Sequence, residues 1–223
     1  MYSRQSDDGR TSTYGVSGKL WNGVLVMYDR DTESFWTQID GRAIDGERLG
    51  ERLPHVDSTY TTWAQWKAAH PDTLALRKPL DERERTGSLY ADYLGDPDRL
   101  FLPELNEGLG GVSAKDVVFG MRADGDSVAV TEALLTRRGV VNVLIGDVPA
   151  AFVRDAETGA VTGVLRRLDG DVLVLRPAGA TGKLRDAFSG VTLGAETLDP
   201  LRVDRSFWYG WKRTHPESRV LAD

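Results

Sequence analysis

The sequence predicts a mainly β (α+β) protein built from two related β-units of an internal duplication. Each unit is closed by a short Trp-rich helix, and the first unit is incomplete. The leading observation is a repeated block. Trp63-Ala-Gln-Trp66-Lys67-Ala-Ala-His70-Pro71 returns as Trp208-Tyr-Gly-Trp211-Lys212-Arg-Thr-His215-Pro216, five identities at one offset of 145 (208 − 63). The match uses four of six tryptophans and two of three histidines, so chance is a poor explanation, and a repeat constrains the fold before any single element does. A second, fainter echo sets Asp8-Gly9 against Asp169-Gly170 and Ser17-Gly18 against Ala178-Gly179, at an offset of 161 (170 − 9). Between these marks lie short β-branched runs punctuated by Gly and Asp, the pattern of hairpins.

Taken in chain order, Lys19–Trp21 and Val24–Tyr28 flank Asn22-Gly23, a dipeptide that tolerates positive φ at both centres of a type I′ turn. A polar turn, Asp29–Thr32, leads into Ser34–Ile39, which alternates as a half-buried strand does. Further on, Val117–Met121, Ser127–Val130, Val140–Ile145 and Ala151–Val153 read as strands, and Thr131–Arg138 as a helix. Ala160–Leu165 and Val172–Leu175 predict a hairpin around Asp169-Gly170.

This divides the chain into a first β-repeat over residues 1–76, a packed connector over 77–113 and a second β-repeat over 114–223. The connector carries charge (Asp81–Arg85) and glycine (Glu107–Gly111), yet Tyr90, Tyr93, Leu100, Phe101 and Leu102 make it too apolar for a free linker. The second unit starts near Asp116, well ahead of its Asp169-Gly170 turn, whereas only seven residues precede Asp8 in the first. The expectation is a first unit that lacks its leading part, with an open edge or apolar patch that a homodimer would cover.

Thr61 and Ser206 are the expected N-caps of two helices of about nine residues, each stopped by Pro71 or Pro216. Trp63, Trp66 and His70 share one face, as do Trp208, Trp211 and His215, and two indoles bury enough area to dock so short a helix on a sheet. His at the C-terminal end meets free carbonyls and the negative end of the helix dipole. The alternative makes His70 and His215 a symmetric pair of metal ligands or acid–base groups. The densest polar cluster is the second candidate. Asn22, Tyr28, Asp29, Arg30, Glu33, Trp36 and Gln38 form either a solvated hairpin turn or a ligand-binding site for a small molecule or an ion.

Several chemistries are excluded or unsupported. The chain has no cysteine, which removes disulfides, thiolate nucleophiles and Cys-based zinc sites. A net charge of −6, with no basic stripe, argues against nucleic acid. No apolar run reaches the roughly 18 residues of a membrane span, so cytoplasmic location is the default expectation. Gly179–Leu184 lacks the first glycine and the Ser/Thr of a phosphate loop. The sequence names no cofactor.

Gly15–Asn22, Met27–Gln38 and the ending Trp66…His70-Pro71-Asp-Thr73 resemble a family of bacterial and archaeal proteins known as domain of unknown function 3179. The resemblance spans nearly the whole chain and is weaker in the second copy. Members usually carry a Cys-Pro-Leu-Cys-like motif ahead of the segment that begins here at Tyr2. The resemblance therefore implies a redox or metal-related enzyme whose usual cysteine motif is absent from this chain, and export in place of the cytoplasmic default. The alternative is a non-catalytic ligand-binding or scaffold module.

Overall fold

Asn22 and Gly23 both take positive φ, 52° and 76°, and close the first hairpin as a type I′ turn requires. The computed structural model describes residues 1–6, 9–56, 58, 60–75, 90–97, 99–107, 109–179 and 183–222. The turn at Asp8, the connector stretch 76–89, Gly108 and residues 180–182 of the phosphate-loop lookalike lie outside these described residues. Strands β1 (Tyr14–Trp21), β2 (Val24–Asp29), β3 (Phe35–Thr37) and β4 (Ala43–Asp45) form an antiparallel meander in that order. Its small core is Trp36, Ala43 and Leu53, with Tyr2, Tyr14 and Met27 packed at its margin.

The rest of the strands stack in layers. β5 (Val117–Ala123) and β6 (Asp126–Thr131) form a hairpin, flanked by β16 (Asp204–Phe207) and by β17 (Arg219–Leu221), which runs parallel to β6. β7 (Val140–Ile145), β8 (Val148–Arg154), β9 (Val161–Leu165) and β15 (Pro200–Leu201) make the next sheet. β12 (Leu175–Pro177), β13 (Lys183–Asp186) and β14 (Thr192–Gly194) make the outermost one. Alternation of side chains along a strand feeds two cores at once. Phe119, Val128, Val130, Ala150 and Phe152 face one core, which also takes Leu134 and Leu135 of a helix over Glu132–Arg138. Ala151 and Val153 face the next, with Leu175 and Leu184. Between the layers the guanidinium of Arg166 is buried and donates to the carbonyls of Ala150 (2.7 Å), Val143 (3.1 Å) and Leu173. Burial pushes its pKa down.

The expected hairpin around Asp169-Gly170 pairs differently. The turn closes only the two-residue strands β10 (Arg167–Leu168) and β11 (Asp171–Val172), while β9 pairs with β8 and β15, and β12 with β13. The Arg166 bonds explain the change, because they turn the chain out of the β9 sheet and into the outer layer.

Helices α1 (Trp63–Ala69) and α4 (Trp208–Thr214) follow the same local plan, with α2 (Ala91–Gly95) and α3 (Glu132–Arg138) between them in sequence. Both repeated helices span seven residues, shorter than the sequence suggested, and both end on a histidine with nearly identical backbone angles (φ −128° and ψ 75°; φ −127° and ψ 78°). Trp66 Nε1 donates to Thr73 Oγ1 (3.0 Å) and Trp211 Nε1 to Ser218 Oγ (2.7 Å). The carbonyls beyond each helix are met by Lys67 and Lys212 rather than by histidine, whose ring lies against the second tryptophan instead. The caps also differ from expectation. Thr62, not Thr61, caps α1 in a capping box with Gln65, and α4 begins at Phe207 without a side-chain cap.

Packing separates the two helices. Trp208 and Trp211 are fully buried, in a core with Val118, Ala129, Leu100 and Leu109. Trp208 Nε1 donates to the Leu109 carbonyl at 2.8 Å, so the described part of the connector packs over α4. In α1 no residue is buried, and Trp63 and Trp66 stand 56% and 38% exposed. Docking by two indoles holds for the second helix only.

A Cβ at Gly120 on β5 would fall within the Trp211 ring. Gly120→Val therefore lowers stability by about 1–3 kcal/mol, the usual cost of overpacking, and urea unfolding measures it. Arg166→Met strands three buried carbonyls and costs about 3 kcal/mol or more, read as a lower urea midpoint at unchanged slope.

Candidate functional site: a cleft and a charged seam between the first sheet and α4

The loop after β3 turns sharply and sets Asp40 against the C-terminal end of α4. There His215 Nε2 lies 3.5 Å from Asp40 Oδ1, too long for a well-formed hydrogen bond, and among the described residues neither of these buried atoms makes a hydrogen bond elsewhere. Charge continues along the seam. Arg122 on β5 lies 3.6 Å from Asp40 and 3.8 Å from Asp204, and Arg202 binds Asp204 at 2.7 Å. Arg202 also donates to the Tyr2 hydroxyl (2.7 Å) and the Ile39 carbonyl (2.8 Å), while Tyr2 donates to that same carbonyl. Burial pushes the Tyr2 hydroxyl up to about 12, against the opposing pull of Arg202. Burial also lowers the His215 pKa, overcoming the attraction of Asp40 and aided by Arg122.

Beside this seam opens a cleft of about 670 Å³. Val24, Leu25, Met27, Gln38 and Ile39 line it from the first sheet, and Phe119, Val203 to Phe207 and Tyr209 from the other side. Tyr60 at its edge carries Arg205 over its ring at 4.1 Å. Tyr209 donates weakly to the Gly23 carbonyl (3.4 Å), and its hydroxyl pKa is raised by burial and by Tyr93. A neighbouring space of about 490 Å³ shares Met1, Ser58, Val161 and Val203 with the cleft, and Trp66, His55 and Arg202 line it. The arrangement is a slot in which apolar and aromatic side chains stand beside hydrogen-bonding groups, a make-up that suits a small molecule.

The residues singled out in sequence fall into two groups. Tyr28, Asp29, Arg30, Glu33 and Trp36 surround a single turn. The buried Asp29 carboxylate accepts from Asp31 N, Thr32 N, Thr32 Oγ1 and Trp36 Nε1 (2.9 Å). Burial alone would raise this carboxyl, but the Trp36, Thr32 and Asp31 donors together hold it below the usual range. Glu33 follows at φ 56°, and the Arg30 guanidinium donates to the Tyr28 hydroxyl at 2.6 Å. The same turn occurs twice more. Asp155 accepts from Thr158 and is followed by Gly159 at φ 68°; Asp186 accepts from Ser189 and is followed by Gly190 at φ 73°. The Ser189 backbone N–H, helped by Val174 N and the Ser189 hydroxyl, holds Asp186 at about 2. With its lone pairs so engaged, Asp29 is a turn-forming residue.

Asn22 and Gln38 form the second group, facing the other half of the molecule. Asn22 Nδ2 donates to the Arg213 carbonyl at 3.0 Å, tying the first hairpin to α4, and Gln38 lines the cleft. His70 and His215 do not enter one donor set. His70 is exposed against Trp66, His215 faces Asp40, and no group of three or more His, Asp or Glu among the described residues could hold a metal ion. Sequence reading missed Asp40, Arg122, Arg202, Asp204 and Tyr2, which lie in unconnected stretches and share no spacing pattern.

The family model for a protein of unknown function, DUF3179, matches residues 1–218, and the chain belongs to that family. No curated protein and no solved structure matches it. Among the described residues no helix is long and apolar enough to cross a membrane.

The lowered His215 pKa makes a prediction with a definite sign. The folded state binds this proton less readily than the unfolded state, so stability falls as pH drops through about 6.5, the unfolded histidine value. The lowered carboxyls Asp29, Asp126, Asp155 and Asp186 act only below about 4, as the unfolded state takes up their protons. Urea unfolding between pH 7.5 and 5 shows this loss in the native chain and a flatter profile in His215→Gln.

Proposed function

We propose that this chain is a ligand-binding module, and that its ligand is a small molecule with a flat apolar body and a hydrogen-bonding edge. The observation that carries this reading is the cleft between the first sheet and β16. Apolar and aromatic side chains line it (Val24, Leu25, Met27, Phe119, Phe207), and polar groups stand among them at Gln38, Ser58, Asp204, Arg205 and Ser206. Flat apolar bodies gain from the aromatic walls, while these donors and acceptors orient the polar edge. Gln38 is the one residue of the sequence-derived cluster that would touch this ligand, and Asn22 would keep the wall formed by β2 in place through its bond to α4. Trp36, bonded to the Asp29 turn, packs against Met27 of that wall.

The binding reading is favoured over metal or thiol chemistry by the donor inventory. The chain has no cysteine. His215, the half-buried histidine at the seam, has the carboxylates of Asp40 and Asp204 nearby, but also Arg122 and Arg202, which repel a cation.

Saturation-transfer NMR with a panel of aromatic carboxylates and amides tests the reading. Members of the panel are expected to bind the native chain, and Leu25→Trp, which fills the cleft, is expected to weaken them at least tenfold with the far-UV spectrum unchanged. Binding that ignores Leu25→Trp removes the cleft as the site.

A further inference from the structure

We propose that the exposed face of α1 is a docking surface for a glycine-bearing β-hairpin carried by a partner chain. The molecule itself shows what covers such a helix. α1 and α4 agree in length, in the backbone angles of the terminal histidine, in the Trp66/Trp211 indole bonds and in the Lys67/Lys212 bonds to carbonyls. On α4 this constellation is met by the β5–β6 hairpin, with Gly120 directly beneath the Trp211 ring and Val118 and Ala129 beside it. The Trp208 N–H is taken by a backbone carbonyl, that of Leu109.

On α1 the helix is equally well fixed, but from the other side. Thr61 Oγ1 donates to the Thr158 carbonyl and Gln65 Nε2 to the Glu157 carbonyl, each at 2.8 Å. Those bonds hold the helix without burying any of its residues. Trp63 stands 56% exposed, and among the described residues its N–H has no partner, where its counterpart Trp208 is 1% exposed and bonded. A preorganised helix presenting two indoles matches a hairpin that offers a glycine under the second ring, as Gly120 does under Trp211. Preorganisation reduces the ordering cost of binding, and exposed aromatic anchors of this kind dominate interface energies. A second copy of the chain is the weaker occupant. Its own β5–β6 hairpin is already covered by α4. Trp66 borders the smaller space beside the cleft, but Leu25 does not line that space, so Leu25→Trp tests the cleft and Trp63→Ala tests this surface independently.

The test is a titration of the ¹⁵N-labelled full chain with a cyclised peptide of its own residues 117–131, the hairpin that α4 already selects. The indole N–H signals of Trp63 and Trp66 are expected to shift on binding. Affinity is expected to fall at least tenfold for the peptide carrying Gly120→Leu, and likewise for the chain carrying Trp63→Ala, an exposed site whose change leaves the fold intact. Absence of any shift, or equal binding by both peptides, overturns the proposal. So does self-association of the native chain in light scattering that Trp63→Ala abolishes, since the occupant would then be a second copy.

Discussion

The Trp211 indole fills the space that a side chain at position 120 would need, and the joint between the two halves of the molecule follows from that contact. Seated there, α4 carries His215 to Asp40, offers the Arg213 carbonyl to Asn22, and presents Gly210 to Val24. The first sheet is therefore held by a helix whose own position is set by the second half. Indole burial supplies the driving force, and the polar bonds fix register. The cleft is the gap left between the two sheets once that joint has formed.

The charged seam is costly to build and selective once built. Asp40, Arg122, Asp204, Arg202 and Tyr2 form a chain of contacts in which each charge has an opposite neighbour. Partly buried ion pairs of this sort rarely add much net stability, because desolvation offsets the attraction. Their value lies in rejecting misaligned dockings that would leave a charge unpaired. Asp40 and His215 are the weakest link, facing one another without a well-formed bond, and so the pH sensitivity of the joint concentrates there.

Much of the strand layout was legible in the sequence because it rests on local rules. Asn22-Gly23 dictates its turn, Thr131 caps the helix after β6, and the runs of β5, β6 and β8 are nearly continuous in small and apolar residues, as burial on both faces demands. The repeated Trp block was legible too, down to the stop before Pro71 and Pro216. What depended on distant partners was not legible. The pairing around Asp169 hinges on Arg166 reaching three carbonyls, and the unequal burial of the Trp helices hinges on which one has a sheet beneath it. The site was least legible of all. The seam draws on residues 2, 40, 122, 202, 204 and 215, and around Asp29 a turn-forming aspartate and a binding aspartate have the same neighbours in sequence.

If Trp211 and the seam make the two halves one cooperative unit, protection from exchange must be shared across the joint. Native-state hydrogen exchange on the amides of β2 and β3, followed beside those of β5 and β6 in increasing urea, measures this directly. The account predicts that both sets merge into one unfolding event with a common free energy and slope. A first sheet that opens separately, at lower free energy and smaller slope than β5 and β6, would contradict it.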